Sequence, residues 1–199
     1  MPTLLITGGA GFIGEHTAKL AMTKGWSVRV FDNLATNLAS KSSRLEKLGA
    51  QVLIGDVRDT GALDAAVKKC DAVIHLAAQV SVPRSMEHPE ETFDINVRGT
   101  ENLLQACHAH GVSRFVMASS AAVYGTCDIF PLDEAHAGAV HSPYAESKWK
   151  NEHQVQEAKQ AGMEAVALRL FNVYGTGQQS EGTYAAVIPK FVEMAVAGK

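Results

Sequence analysis

The chain has 199 residues, 46% hydrophobic and 20% charged, which is ordinary for a soluble globular domain with one sizeable core. Its formal net charge is -3 with the basic residues scattered, so it lacks the electrostatic footprint of a nucleic-acid or anionic-membrane binder. No apolar run approaches transmembrane length and no secretory pattern opens the sequence, while Cys70, Cys107 and Cys127 fit neither a C-x-x-C pair nor a Cys/His metal spacing. The expectation is a cytoplasmic protein with no disulfide, no metal, no nucleic-acid partner and no membrane partner.

Leu4 to Thr7 reads as a first strand, and the glycine-rich stretch Thr7 to Gly14 turns it into a helix from Phe12 to about Lys24, closed by Gly25. Ser27 to Phe31 is a second strand, so this is one βαβ unit. A polar stretch from Asn33 to Lys47 leads to a short strand at Gln51 to Ile54, a helix at Thr60 to Lys69 and a strand at Ala72 to Leu76. Pro89 suits the first turn of a long helix ending before Gly111, with Phe93, Val97, Thr100, Leu104 and Cys107 as its apolar seam. Arg114 to Ala118 is a fifth strand, Ser142-Pro143 an N-cap and N1 pair opening a helix that Gly162 closes, and Ala165 to Leu170 a sixth strand. Alternating strands and helices predict an α/β fold: a doubly wound parallel sheet with helices on both faces.

In such sheets ligands bind beyond the C-terminal strand ends. The first of those ends carries Gly8, Gly9, Gly11 and Gly14, which match both G-x-G-x-x-G and G-x-x-G-x-x-G. Missing side chains allow a tight turn and a close approach to a pyrophosphate at the helix N-terminus. Asp32 ends the next apolar run, where a carboxylate accepts from an adenosine ribose and repels a 2′-phosphate, favouring NAD over NADP. Asp56 suits either an adenine amino group or the N-terminus of the helix that follows it. His75 ends an apolar strand, where a packed and hydrogen-bonded histidine is expected. Tyr144 and Lys148, four residues apart, lie on one helix face. An ammonium there, together with a bound nicotinamide cation, would favour the phenolate; lowering a tyrosine pKa by three units takes about 4 kcal/mol. Ser119 and Ser120 end the preceding strand, where a hydroxyl can share the reacting oxygen.

Further stretches join these: Gly55-Asp56-Val57-Arg58-Asp59, His75-Leu76-Ala77-Ala78, Asn96-Val97-Arg98-Gly99-Thr100, Ser119-Ser120-Ala121-Ala122-Val123-Tyr124-Gly125 and Arg169-Leu170-Phe171-Asn172-Val173-Tyr174-Gly175. In this order, through nearly the whole chain, they resemble the extended short-chain dehydrogenase/reductase family. Within it the chain is most similar to the NAD-dependent epimerase/dehydratase group, especially the UDP-glucose and UDP-N-acetylglucosamine 4-epimerases.

The resemblance implies a Rossmann-type NAD-binding domain over residues 1–178. Residues 179–199 would begin a smaller C-terminal substrate domain that is largely missing from this chain. It implies cofactor contacts at Gly8, Gly11, Phe12, Ile13, Gly14, Asp32, Asn33, Asp56, Val57, Leu76, Ala77, Ala78, Asn96, Tyr144, Lys148 and Phe171. It implies catalysis by Ser120, Tyr144 and Lys148, and a UDP-sugar held near Ser81, Ser120, Tyr144 and Asn172. Tyr144 would take the proton of the sugar 4-hydroxyl with help from Ser120, while NAD accepts and returns the C4 hydride. The helices around Pro89 to His110 and Ser142 to Ala161 resemble the pair that forms a four-helix homodimer interface in the family. Dehydratases of the group carry an Asp-Glu pair where this chain has Ala121 and Ala122, which favours an epimerase. The alternatives are a dehydratase or reductase of the same family, or a non-catalytic NAD-binding fragment.

Overall fold

The computed structural model describes residues 1–35, 39–178 and 187–198. Its contacts divide the chain into two compact units, Met1–Arg169 and Leu170–Lys199, whereas the sequence places the division after residue 178; residues 179–186 lie outside the described residues.

In the first unit the strands are β1 (Thr3–Thr7), β2 (Ser27–Asp32), β3 (Gln51–Ile54), β4 (Ala72–His75), β5 (Arg114–Ser120) and β6 (Glu164–Leu170), the last ending on the first residue of the second unit. Between them run α1 (Phe12–Thr23), α2 (Ala39–Lys47), α3 (Thr60–Val67), α4 (Val82–Glu87), α5 (Pro89–Phe93), α6 (Gly99–Ala109) and α7 (Pro143–Gln160). The second unit carries α8 (Val187–Val196).

The six strands form one sheet in the order β3-β2-β1-β4-β5-β6. The ladders β1·β2, β2·β3, β1·β4 and β4·β5 are parallel, as crossover helices require. Strand order reverses between β1 and β4, so the chain leaves their adjacent C-terminal ends in opposite directions and opens a crevice there. Two apolar layers cover the sheet: Leu5, Phe31, Val73, Phe115 and Met117 pack with Leu63, Leu103 and Val155, while Leu4, Ile6, Val28 and Val30 pack with Ala18 and Leu45.

The local signals behave as their chemistry dictates. Ser142 caps α7 by accepting from the Ala145 amide at 3.1 Å, with Pro143 in the first turn. Asp59, not Asp56, caps α3, accepting from the Ala62 amide at 3.0 Å.

Two helices arise where the sequence pattern predicts none: α2 within the polar stretch and α4 after the β4 loop. The single long helix expected from Pro89 is instead interrupted by a π turn, Asp94–Arg98, between α5 and α6. The extra residue rotates the buried stripe onto Thr92, Asn96, Thr100, Leu103 and Cys107, leaving Phe93, Val97 and Leu104 half-buried. Carbonyls released by the turn find partners on α7: Asn151 donates to Asn96 O at 2.9 Å and Gln154 to Val97 O at 3.1 Å.

Candidate active site

The glycine loop joins β1 to α1 at the switch point. Gly8 has φ +66°, and a Cβ there would lie 2.6 Å from the Ala77 amide nitrogen; one on Gly14 would run into Gly8 O and Gly9 Cα. Gly11 opens α1 without any side-chain cap, so the first amide donors of the helix receive no side-chain oxygen. A Cβ on Gly11 would meet only Gly8 O, at 3.1 Å. Tight backbone packing on one side and uncapped helix donors on the other fit a dinucleotide pyrophosphate.

Asp32 ends β2, buried, and its carboxylate has a second role that the sequence does not disclose. Oδ2 accepts from the Ala10 amide at 3.0 Å and Oδ1 from the Leu34 amide at 2.9 Å, so the acid that would meet a ribose also pins the glycine loop. Asn33 donates to Asp56 Oδ2 at 3.0 Å, and Arg58 grips both Asp56 oxygens at 2.8 Å. The Arg58 guanidinium holds the Asp56 carboxyl well below the usual carboxylate range. The Val57 side chain is packed in the core, where a Cβ on Gly99 would come within 2.5 Å of it, so only its backbone is available to an adenosine.

At the end of β4, His75 is packed and hydrogen-bonded, as expected. The Thr100 hydroxyl donates to Asn96 O at 2.6 Å and therefore accepts from His75 Nε2 at 2.9 Å; His75 Nδ1 then accepts from Thr7 Oγ1 at 2.6 Å. This chain of donors fixes a neutral imidazole with its proton on Nε2. Burial, with the Lys148 charge adding to it, lowers the His75 pKa to about 3. Beyond His75, Leu76 donates to Thr7 O at 3.0 Å and Ala77 to the Thr7 hydroxyl at 3.4 Å, which ties the loop carrying Leu76, Ala77 and Ala78 to β1.

Asn96, on the π turn, is 1% exposed, and both its amide hydrogens are engaged. They reach Gln79 O at 3.0 Å and Ser147 Oγ at 2.9 Å, while Oδ1 accepts from the Gln79 amide at 2.8 Å. Ser147 in turn donates to Tyr144 O at 2.7 Å. The side chain expected to contact the cofactor is thus a brace between the β4 loop and the first turn of α7. Ser81, expected to contact the sugar, is buried and caps α4 by accepting from the Arg84 amide at 2.9 Å. Its own amide donates to Gln79 Oε1.

Tyr144, Lys148 and Ser120 converge at the end of β5. Ser120 Oγ accepts from the Ala122 amide at 3.2 Å, and its hydroxyl is near enough to the Tyr144 phenol to favour the ionised form. Lys148 is 5% exposed and donates from Nζ to Ala118 O at 3.0 Å; burial lowers its pKa to about 8. Burial raises the Tyr144 pKa, and the nearby Ser120 hydroxyl only partly offsets this. The predicted lowering therefore does not arise in the protein alone: Lys148 serves a backbone carbonyl on β5, and the second cation of the sequence argument has to come from a cofactor.

Beside these groups lies a cluster whose central acid, Glu152, the sequence motifs do not mark. Glu152, two turns beyond Tyr144 on α7, accepts from Ser119 Oγ at 2.5 Å and from Arg169 at 2.8 and 3.0 Å. Arg169 also donates to Glu134 O at 2.7 Å and lies 4.9 Å from the centre of the Tyr124 ring. The i, i+4, i+8 spacing of Tyr144, Lys148 and Glu152 is the available signal. Phe171 and Asn172 belong to the second unit and are exposed.

A profile of the NAD dependent epimerase/dehydratase family matches residues 4–199. The chain belongs to this family. A curated relative, the UDP-glucose 4-epimerase of Rhizobium meliloti (strain 1021), is 38% identical over 177 residues, covering 86% of this chain and 52% of the relative. The UDP-N-acetylglucosamine 4-epimerase from Methanobrevibacter ruminantium M1, solved with UDP-N-acetylmuramic acid, superposes with a TM-score of 0.92 at 32% identity, covering 100% of this chain and 64% of that one. The Thermus thermophilus UDP-glucose 4-epimerase, solved with NAD, gives a TM-score of 0.88 at 36% identity, covering 98% and 63%. The chain thus spans between about half and two thirds of the length of these members of the epimerase/dehydratase family. Its sheet order and glycine loop are those of a Rossmann fold.

Proposed function

We propose that this chain is the cofactor-binding half of an NAD-dependent nucleotide-sugar 4-epimerase acting on UDP-glucose and UDP-galactose or their N-acetylated forms. The observation that carries the reading is the convergence of Ser120, Tyr144 and Lys148 at the end of β5, at the same end of the sheet as an uncapped glycine loop, in a chain whose relatives are UDP-sugar 4-epimerases.

The loop Gly8 to Gly14 receives the pyrophosphate, with donors from the start of α1, and Asp32 receives the adenosine ribose. A bound NAD, held by these residues, would supply the hydride chemistry at the sugar C4. Tyr144 takes the proton from the 4-hydroxyl and later gives it back, and Ser120 holds the same oxygen through its hydroxyl. Because burial holds the Tyr144 phenol up, its ionisation is reserved for a site that contains a cation. Lys148 keeps the first turns of α7 against β5 through Ala118 O and adds positive charge there. Ala121 and Ala122, directly after Ser120, offer no carboxyl group for eliminating water, which favours epimerisation over dehydration. Ser81, Asn172 and Phe171 remain proposed contacts of the sugar or nicotinamide side. A homodimer through the helices spanning residues 89–110 and 142–161, and a cytoplasmic location consistent with three free thiols, belong to the same proposal.

The test is interconversion of UDP-glucose and UDP-galactose, and of their N-acetylated forms, by the full-length protein. A Tyr144→Phe variant is expected to lose about 10²- to 10⁴-fold in kcat. A wild-type rate in that variant refutes the assignment, and a 4-keto-6-deoxy sugar as the product assigns a dehydratase instead.

A further inference from the structure

The Ser120–Tyr144 pair joins two separate pieces of chain: the end of β5 with the turn after it, and the first turn of α7. Neither piece is fixed by that approach alone. On the β5 side, Ser120 is bracketed by Ser119 and Tyr124. Ser119 donates to Glu152 Oε1 at 2.5 Å, and the ring of Tyr124 lies under the Arg169 guanidinium at 4.9 Å. On the α7 side, Glu152 lies two turns from Tyr144 on the same helix face, and the Trp149 ring centre lies 5.8 Å from the same guanidinium. Glu152 and Arg169 have side chains only 13% and 15% exposed and meet through a forked set of bonds at 2.8 to 3.3 Å. The remaining guanidinium nitrogen reaches Glu134 O at 2.7 Å and so holds the loop after Tyr124 as well.

We propose that Glu152 and Arg169 are positioning residues which, through Ser119 and Tyr124, hold the hydroxyl of Ser120 in register with the phenol of Tyr144. A planar guanidinium suits the role because its fixed fork sets the distance between β6 and α7, which a flexible ammonium does not. The pair touches neither the reacting oxygen nor the glycine loop; it acts through Ser119, next to Ser120, and Tyr124, four residues beyond it. The inference rests on the reading of Tyr144 as the proton-transfer group, but the geometry it concerns exists without substrate.

The experiment is 13C NMR of the chain labelled at tyrosine Cζ, with Tyr144 identified by subtracting the Tyr144→Phe spectrum in each background. The Cζ shift reports both the phenol's hydrogen bond at neutral pH and its titration above it. Lys148 on the same helix, His75 at the end of β4 and Tyr124 on the turn after β5 are unchanged in every variant. Ser119→Ala and Glu152→Gln are expected to move the Tyr144 resonance at neutral pH and to raise its titration by about half a unit or more, as loss of a hydrogen bond to the ionised form requires. Arg169→Lys is expected to fall between wild type and these variants.

A purely structural pair would lower the urea midpoint and leave the Tyr144 resonance where it is in the folded protein; that result overturns the proposal. If Glu152→Gln does not fold, Ser119→Ala decides, since it leaves the ion pair intact. Failure of UDP-sugar turnover would overturn the epimerase reading and leave this measurement standing.

Discussion

Replacing Lys148 with methionine should make the fold less sensitive to pH as it removes the activity. Burial holds the Lys148 pKa at about 8, against 10.5 for a free lysine. Between those values the unfolded chain keeps a proton that the folded chain has released, so this group's contribution to stability rises with pH. It is full above the unfolded value and lost as pH falls through about 8. From about pH 8 to about pH 9.5 the gain is about 1.5 units at about 1.4 kcal/mol each, or about 2 kcal/mol. At neutral pH the charged amine is buried at a cost of the whole shift, about 2.5 units or about 3 kcal/mol. Lys148→Met removes the charge but leaves Ala118 O without its donor, a loss of about 1 kcal/mol or more. That loss is the same at both pH values, so the change in the mutant's relative stability isolates the ionisation. Urea unfolding of both proteins at about pH 7 and about pH 9.5 should show the variant losing about 2 kcal/mol relative to wild type over the interval. Titration of Cys70 and Cys107 cancels in the comparison. A difference that stays flat with pH would mean that Lys148 is not buried as a cation and would remove the electrostatic argument for its place beside Tyr144.

Gly14→Ala should weaken NAD binding at least about tenfold and lower stability by about 1–3 kcal/mol, because its Cβ meets the backbone of Gly8 and Gly9; fluorescence titration with NADH and urea melts read the two effects, and unchanged affinity would count against the loop as the pyrophosphate site. His75 is held neutral with a pKa of about 3 against 6.5, so the stability it contributes is full above pH 6.5 and declines as pH falls toward 3, by about 1.4 kcal/mol per unit. His75→Gln should flatten that acid limb in chemical denaturation, and an unaltered slope would show that the imidazole is protonated in the fold. Asp59→Ala should cost about 1 kcal/mol by uncapping α3, whereas Asp56→Ala should leave the α3 cap intact and lose the Arg58 and Asn33 contacts instead; urea midpoints of the two variants distinguish the assignments.

The framework is legible in the sequence because its signals are local. Ser142-Pro143 opens a helix through one hydroxyl and one fixed φ, and Gly8 to Gly14 turns a strand into a helix through absent side chains, so both read correctly from a few residues. What the sequence withholds depends on partners far away in the chain. The π turn at Asp94–Arg98 is supported by Asn151 and Gln154, which donate to its released carbonyls, and no local pattern announces that. The four-residue spacing puts Lys148 on the right helix face near Tyr144, but it cannot reveal that the ammonium is taken up by Ala118 O. Asp32 reads as a ribose ligand, and its hold on the glycine loop emerges only when β1 and β2 lie side by side. Glu152 and Arg169 sit on a helix and a strand, and only the packing of α7 against the sheet brings them together.

The π turn also limits how this chain can change in length. Deleting one residue between Asp94 and Arg98 would restore an ordinary helix and rotate everything on one side of the cut by about 100°. Asn96 would leave Gln79 and Ser147, and Thr100 would leave His75. The loop after β4 and the helix bearing Tyr144 would then lose their shared brace in a single step. Substitutions can be tested here one side chain at a time, but a one-residue deletion acts on the whole crevice at once. A transplant of this helix into another scaffold would therefore have to carry α7 with it.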